Sequence, residues 1–247
     1  MKKLWVLLLS AYLGLGTLVA QDFNTLKQQA QKGDASAQYN LGLMYLNGEG
    51  VPQDYAEAVK WTRLAADQGY AQAQSRLGLM YFFGRGVPQD DAQAVKWYRL
   101  AADQGDADAQ FNLGLMYRKG EGVPQDDAQA VKWYRLAADQ GDAQAQVTLG
   151  LMYVNGLGVP QDDVQAMKWY RLAADQGYAS AQYNLGGMYA NGQGVPQDYV
   201  QAHKWYNLAA AQGDADGAKN RDLVAKRMTP QQIERAQELA RNWKPNQ

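Results

Sequence analysis

Cysteine is absent from the 247 residues, and histidine occurs once, as His203. The first absence excludes disulfides, thiolate metal sites, a Cys nucleophile and an acylated N-terminal cysteine. The second excludes multi-histidine zinc sites and leaves a single imidazole. Neither charge sign dominates: 24 Lys and Arg face 25 Asp and Glu, a formal net charge of -1. That balance gives no electrostatic reason to bind nucleic acid or an acidic membrane surface. Motifs of catalysis are missing too, with no Ser-x-x-Lys, His-Glu-x-x-His, Gly-x-Ser-x-Gly or Gly-x-x-x-x-Gly-Lys. What is present, 47% apolar and 20% charged residues, is an ordinary globular composition. The chain is long enough to bury a substantial core.

The N-terminus has its own character. Met1-Lys2-Lys3 is a basic start, Leu4 to Leu9 an uninterrupted apolar run, and Ser10 to Ala20 a weaker stretch ending in small and apolar residues. This is the order of a secretory signal peptide over 1–20, with cleavage expected after Ala20. Gly14 and Gly16 weaken it as a spanning helix. The expectation is a periplasmic or secreted protein with no stable membrane insertion after cleavage.

The dominant feature is an internal repeat. Leu41-Gly42-Leu43-Met44-Tyr45 recurs at Leu77, Leu113, Leu149 and, with Gly187 in its third place, at Leu185, always 36 residues on. Gly-x-Gly-Val-Pro-Gln-Asp begins at Gly48, Gly84, Gly120, Gly156 and Gly192, and Lys-Trp pairs end at Trp61, Trp97, Trp133, Trp169 and Trp205. Five units follow without insertion: 33–68, 69–104, 105–140, 141–176 and 177–212.

Each unit predicts two helices. In the first unit, Asp34 caps a helix running to about Asn47, with Ala37, Leu41, Met44 and Tyr45 on one apolar stripe. Gly48 suits the left-handed position beyond a helix end, and Pro52 cannot continue the helix. Asp54 caps the second helix, and Glu57, three residues later, completes a capping-box pattern that the other units keep with Gln. Ala58, Trp61 and Ala65 make its buried stripe. Gly42 and its equivalents fall mid-helix, where Gly costs about 1 kcal/mol relative to Ala. Close approach of a neighbouring element explains them, with the Trp of the second helix as the expected neighbour.

Both ends depart from the unit. Residues 21–32 read as an N-terminal capping helix, with Thr25 where Trp61 stands. Residues 213–247 read as C-terminal capping helices, in which Arg221-Asp222 replaces Leu-Gly and gives the end of the stack a polar face. Thr229-Pro230-Gln231-Gln232 is a helix start. Ile233, Ala236, Ala240 and Trp243 form one apolar docking face.

The unit, carried by Ala37, Leu41-Gly42, Tyr45, Gly48, Gly50-Val51, Asp54, Ala58, Trp61, Ala65-Ala66 and Gly69 and their equivalents, resembles the Sel1-like repeat, a relative of the tetratricopeptide repeat. The resemblance implies an all-α fold: a right-handed α-solenoid of five 36-residue helix-turn-helix repeats whose first helices line a concave face. It also implies an adaptor role, since members of the family commonly hold other proteins. Cysteine-rich secreted relatives are described as penicillin-binding or β-lactamase-like. The lack of cysteine separates this chain from them.

The candidate chemistry is sparse. His203 takes the place of Val59, Val95, Val131 and Met167 and reads as a substituted flank of the second helix. Asp90-Asp91, Asp126-Asp127 and Asp162-Asp163 read as helix caps and dipole partners, and they lack the alternating ligand spacing of a calcium loop. Binding remains. Positions 36, 40, 43 and 47 of the first helix share one stripe, and with positions 39 and 46 beside it they vary between copies while packing positions recur. One row reads Asn40, Arg76, Asn112, Thr148, Asn184, and its neighbour Asn47, Phe83, Lys119, Asn155, Asn191. These ten residues are the candidate partner-binding set on the concave face. The function expected is a non-enzymatic interaction scaffold for a protein or peptide, either an adaptor or a neutralising partner for a toxin or effector. It needs no cofactor and no metal. The alternative is a β-lactamase-like or peptidoglycan-acting hydrolase.

Overall fold

Asp34 accepts a hydrogen bond from the Ala37 N–H at 2.7 Å and starts a helix at Ala35. That event recurs along the computed structural model, which describes residues 23–245. Helix α1 covers residues 23–31. The first helices of the five units are α2 (Ala35–Asn47), α4 (Ala71–Phe83), α6 (Ala107–Lys119), α8 (Ala143–Asn155) and α10 (Ala179–Asn191). Their second helices are α3 (Tyr55–Asp67), α5 (Asp91–Asp103), α7 (Asp127–Asp139), α9 (Asp163–Asp175) and α11 (Tyr199–Ala211). Helices α12 (Ala215–Ala225) and α13 (Pro230–Arg241) follow, and no strand occurs among the described residues. The expected signal peptide, 1–20, lies outside them.

The caps follow from local chemistry. Asp54, Asp90, Asp126, Asp162 and Asp198 each accept from backbone N–H groups of the second helix they begin. Gly48 ends α2 with φ 74°, a conformation that a side chain would strain. The second glycine of each connector has a different duty. A Cβ on Gly86 would lie 2.2 Å from the Tyr55 carbonyl oxygen, and one on Gly158 would lie 2.2 Å from that of Asp127. The connector therefore seats directly on the preceding second helix.

Two compact units divide the chain, one reaching Met116 and including Gly120–Pro124, the other holding Tyr117–Lys119 and everything from Gln125. In the first, Ala37, Leu41, Ala58, Ala65, Ala73 and Leu77 are fully buried or nearly so. In the second, Ala145, Leu149, Ala166, Ala173, Ala181 and Leu185 take the same places. At its C-terminal end Thr229 caps α13 with a complete capping box. Ala236 and Ala240 of α13 are buried, and the Trp243 ring meets Trp205 edge-on at 6.3 Å.

Three sequence expectations need correction. The mid-helix glycines face the residue after the Trp, not the Trp itself. A Cβ on Gly78 would lie 2.8 Å from Tyr98 Cδ1, on Gly150 2.6 Å from Tyr170 Cε1, and on Gly42 2.5 Å from Thr62 Oγ1. The ring beside the Trp points across the helix pair, and glycine leaves room for it. Next, Glu57 does not close a capping box: its carboxylate accepts from Lys60 Nζ at 2.8 Å and from Trp61 Nε1 at 2.9 Å, one turn onward. Last, positions 39 and 46 are not uniformly surface positions, since Leu46 and Val147 are buried. Hydrophobic variation there reflects packing, not partner choice.

A feature missed in the sequence joins neighbouring repeats. Gln38, Gln74, Gln110, Gln146 and Gln182 are all buried. Gln74 donates from Nε2 to the Ala66 carbonyl at 3.1 Å, and Gln146 to that of Ala138 at 3.0 Å. Each also accepts from a glutamine thirty residues ahead, Gln104 at 2.7 Å and Gln176 at 2.9 Å. Buried amides satisfied on both sides in this way tie one repeat to the next.

Candidate partner-binding surface

Helical spacing decides which residues of a first helix meet solvent. In α2, Ser36, Asn40 and Asn47 are exposed while Ala37 and Leu41 are buried. The same rotation exposes Gln72 and Phe83 in α4, Gln144 and Asn155 in α8, and Ser180 and Asn191 in α10. Arg76, Asn112, Thr148 and Asn184 are half-buried, and Lys119 is exposed. All ten candidates thus lie on the solvent side of their own helix.

They are not equivalent. Asn47 donates to Glu49 Oε1 at 2.8 Å, Thr148 Oγ1 to the Gln144 carbonyl at 2.8 Å, and Asn155 to the Leu151 carbonyl at 2.7 Å. These groups spend a donor on their own chain, which weakens their offer to a partner. Phe83 is different: it is 56% exposed. Its ring meets Phe82 edge-on at 5.0 Å and lies under the Arg85 guanidinium at 5.4 Å. A guanidinium over an exposed ring is an amphipathic platform that can take an apolar or an anionic group.

Seven residues away along the same stripe, Arg76 borders a cleft of about 140 Å³. Ser75 helps open it, standing where other first helices carry Tyr39, Phe111, Val147 and Tyr183. Tyr39 forms one wall, and Asp106, Asp108 and Asn112 lie opposite. Burial raises the Asp106 carboxyl, an effect offset in part by hydrogen bonds from the Ala109 N–H and the Ser75 hydroxyl. One cation, two carboxylates, two amides and a hydroxyl in so small a cleft suit the mixed polarity of a peptide. Among the described residues no cluster of three or more His, Asp or Glu is placed to hold a metal.

Arg85 and Asp106 escaped the sequence reading. Position 85 was legible in principle, because its copies are Glu49, Arg85, Glu121, Leu157 and Gln193, as variable as the stripe itself. Asp106 was hidden by its role as the N-cap of α6.

On the second helices, Lys60 lies over Trp61 at 5.4 Å, and Lys96, Lys132 and Lys168 lie over Trp97, Trp133 and Trp169 at 5.4 to 5.5 Å. Invariance from copy to copy marks these pairs as structural.

Tandem helix pairs of constant length, joined by the same glycine connector, define an all-α solenoid repeat protein. The Sel1 repeat family model matches residues 35–70, 71–106, 107–142, 143–178 and 179–214. The chain belongs to the Sel1 repeat family. Each match begins on the first residue of a first helix, two residues after the boundary read from the sequence. A Sel1 repeat protein of Oxalobacter formigenes is similar in structure, with 33% identity over 91% of this chain and 99% of that one, at a TM-score of 0.73. A protective antigen of uropathogenic Escherichia coli with the same repeat fold shares 31% identity, over 93% of this chain and 59% of that one, at a TM-score of 0.57. No curated protein matches the chain significantly. Sel1 repeat proteins mediate protein–protein interaction, and their scaffold is typically non-enzymatic.

Proposed function

We propose that this protein is a non-enzymatic interaction scaffold, exported to the periplasm or beyond, that holds a protein or peptide on the first-helix face. The observation that carries this reading is the Arg76–Phe83–Arg85 group. It combines an exposed aromatic ring, a guanidinium stacked on it and a cleft beside it, at positions where the repeats differ. Aromatic and Arg side chains dominate interface energies, and truncating a hot spot costs about 2 kcal/mol or more. An adaptor for an envelope assembly and a neutralising partner for a toxin or effector would use this surface alike. The export assignment rests on the residues from Met1 to Ala20.

A crosslinking pull-down from the envelope of the exporting cell, followed by calorimetry, tests the reading. Arg76→Ala or Phe83→Ala is expected to weaken the captured partner at least about tenfold, the equivalent of 1.4 kcal/mol, with the helical spectrum unchanged. Lys60→Ala and Lys96→Ala, on the second helices, are expected to change little. Loss of affinity in the second-helix variants alone would reject the first-helix face. Clear nitrocefin turnover by homogeneous protein would reject the non-enzymatic reading in favour of the hydrolase.

A further inference from the structure

The fifth repeat carries smaller residues than the other copies at two places on α10, and at a third place it shares a tyrosine with the first repeat alone. Gly187 replaces the leucine of Leu43, Leu79, Leu115 and Leu151. Ala190 replaces Leu46, Phe82, Arg118 and Val154. Tyr199, like Tyr55 of the first unit, stands where the three middle units carry Asp91, Asp127 and Asp163. The first two remove volume, and the third puts a phenol where the middle units have a carboxylate. Ala190 and Tyr199 both line a cavity of about 320 Å³ among α10, α11 and α12, whose apolar lining is Ala190, Leu223 and Val224.

Its polar lining is one-sided. Arg227, Asn191, Asn220, Tyr199 and Tyr206 contribute a guanidinium, two amides and two phenols, and no carboxylate. Arg227 Nη1 donates to the Tyr199 hydroxyl at 3.0 Å, with the guanidinium above the Tyr199 ring at 5.9 Å, so it is held at the rim. Asn220 donates to the Tyr183 hydroxyl at 3.2 Å, which fixes its amide. Burial pushes the Tyr206 phenol up to about 12, so its O–H remains a donor at neutral pH. Charge along the chain agrees: residues 213–247 hold seven Lys and Arg against five Asp and Glu, whereas 33–212 hold thirteen against nineteen. Asn220 also stands 36 residues after Asn184 and extends the candidate row by one place.

We propose that this cavity is a second binding site, which receives the carboxylate of an Asp or Glu side chain, flanked by an apolar residue, from a bound peptide. A guanidinium and neighbouring amide and phenol donors match a carboxylate, and Leu223 and Val224 match the apolar neighbour. An internal side chain fits better than a chain terminus, because the Asn191 and Asn220 amides at the cavity can pair with peptide backbone on either side of it. The proposal rests on the scaffold reading for the ligand being a peptide, but it uses a different site from Arg76 and Phe83.

The test uses the full chain and doubly blocked peptides, acetyl-Ala-Leu-Glu-Leu-Ala-amide with Gln and Lys analogues at the Glu position, titrated by NMR and calorimetry. The Glu peptide is expected to bind saturably, and the Gln and Lys analogues at least about tenfold more weakly, as loss of a charge-assisted pair requires. Arg227→Gln should weaken the Glu peptide by a similar factor. Ala190→Leu restores the residue of the first unit, so it should fold normally and abolish binding by filling the cavity. Arg76→Ala and Phe83→Ala should leave this titration unchanged, so failure of one site is distinguishable from failure of the other. Equal binding of the Gln peptide, undiminished binding by folded Ala190→Leu, no saturable binding, or binding only by an unblocked Gln peptide through its C-terminus would each overturn the proposal.

Discussion

Replacing Gln146 tests whether buried amides join the repeats. In Gln146→Leu two hydrogen bonds vanish, from Gln146 to the Ala138 carbonyl and from Gln176 to Gln146. Each is worth about 1 kcal/mol net. Neither partner is stranded: the Ala138 carbonyl keeps the Gly141 N–H at 3.0 Å, and Gln176 is exposed and turns to water. Leucine regains part of the loss by apolar burial, so the net cost should be about 1 kcal/mol. Gln146→Glu is nearly isosteric and should behave quite differently. It sets a buried carboxylate oxygen against the Ala138 carbonyl, and an uncompensated buried charge costs about 3 kcal/mol or more. At low pH the protonated acid can donate to that carbonyl, so the Glu variant should recover stability as pH falls, while the Leu variant should not. Urea unfolding followed by both circular dichroism and Trp fluorescence measures this, provided the two transitions coincide. A Glu variant no less stable than the Leu variant at neutral pH, or one that fails to recover in acid, would refute the buried-amide argument.

Three further predictions concern single positions. Trp97 Nε1 and Trp133 Nε1 are buried without an acceptor, whereas Trp61 Nε1 reaches Glu57. Gln93→Glu or Gln129→Glu should therefore stabilise the fold by about 1 kcal/mol, measured as a higher urea midpoint at unchanged slope. His203 is buried with Nδ1 unpartnered, and its pKa is lowered first by burial, then by Arg221, against an opposing pull from Asp222. Below about pH 6.5 the unfolded chain takes up a proton that the native state refuses, so stability falls as pH drops. His203→Val should flatten the urea midpoint between about pH 7 and pH 5. Gly78→Ala drives a Cβ to 2.8 Å from the buried Tyr98 ring. The clash should outweigh the gain of about 1 kcal/mol in helix propensity and lower the thermal midpoint, and in a Tyr98→Ala background the same change should raise it.

Local chemistry made much of this protein legible before any coordinates. The Asp caps, the left-handed Gly48, the two helices per unit and the Thr229 helix start each depend on residues a few positions apart, and five copies allowed each to be read repeatedly. The candidate stripe came from the same source, because helical rotation separates Asn40 and Phe83 from Leu41 and Leu77. The buried glutamines were invisible for the opposite reason. Gln is usually a surface residue, and Gln146 is satisfied by Ala138 in the preceding repeat and Gln176 in the following helix.

Sequence alone therefore determined the repeat, its helices and its family, since these follow from short-range patterns repeated 36 residues apart. Only the tertiary structure decided which side chains meet. It put Tyr98, not Trp97, against Gly78, stacked Arg85 on Phe83, and brought Ala190 and Tyr199 to one cavity. Those outcomes depend on which way a side chain points across a helix pair and on how much volume its neighbours leave, and both are properties of packing between helices.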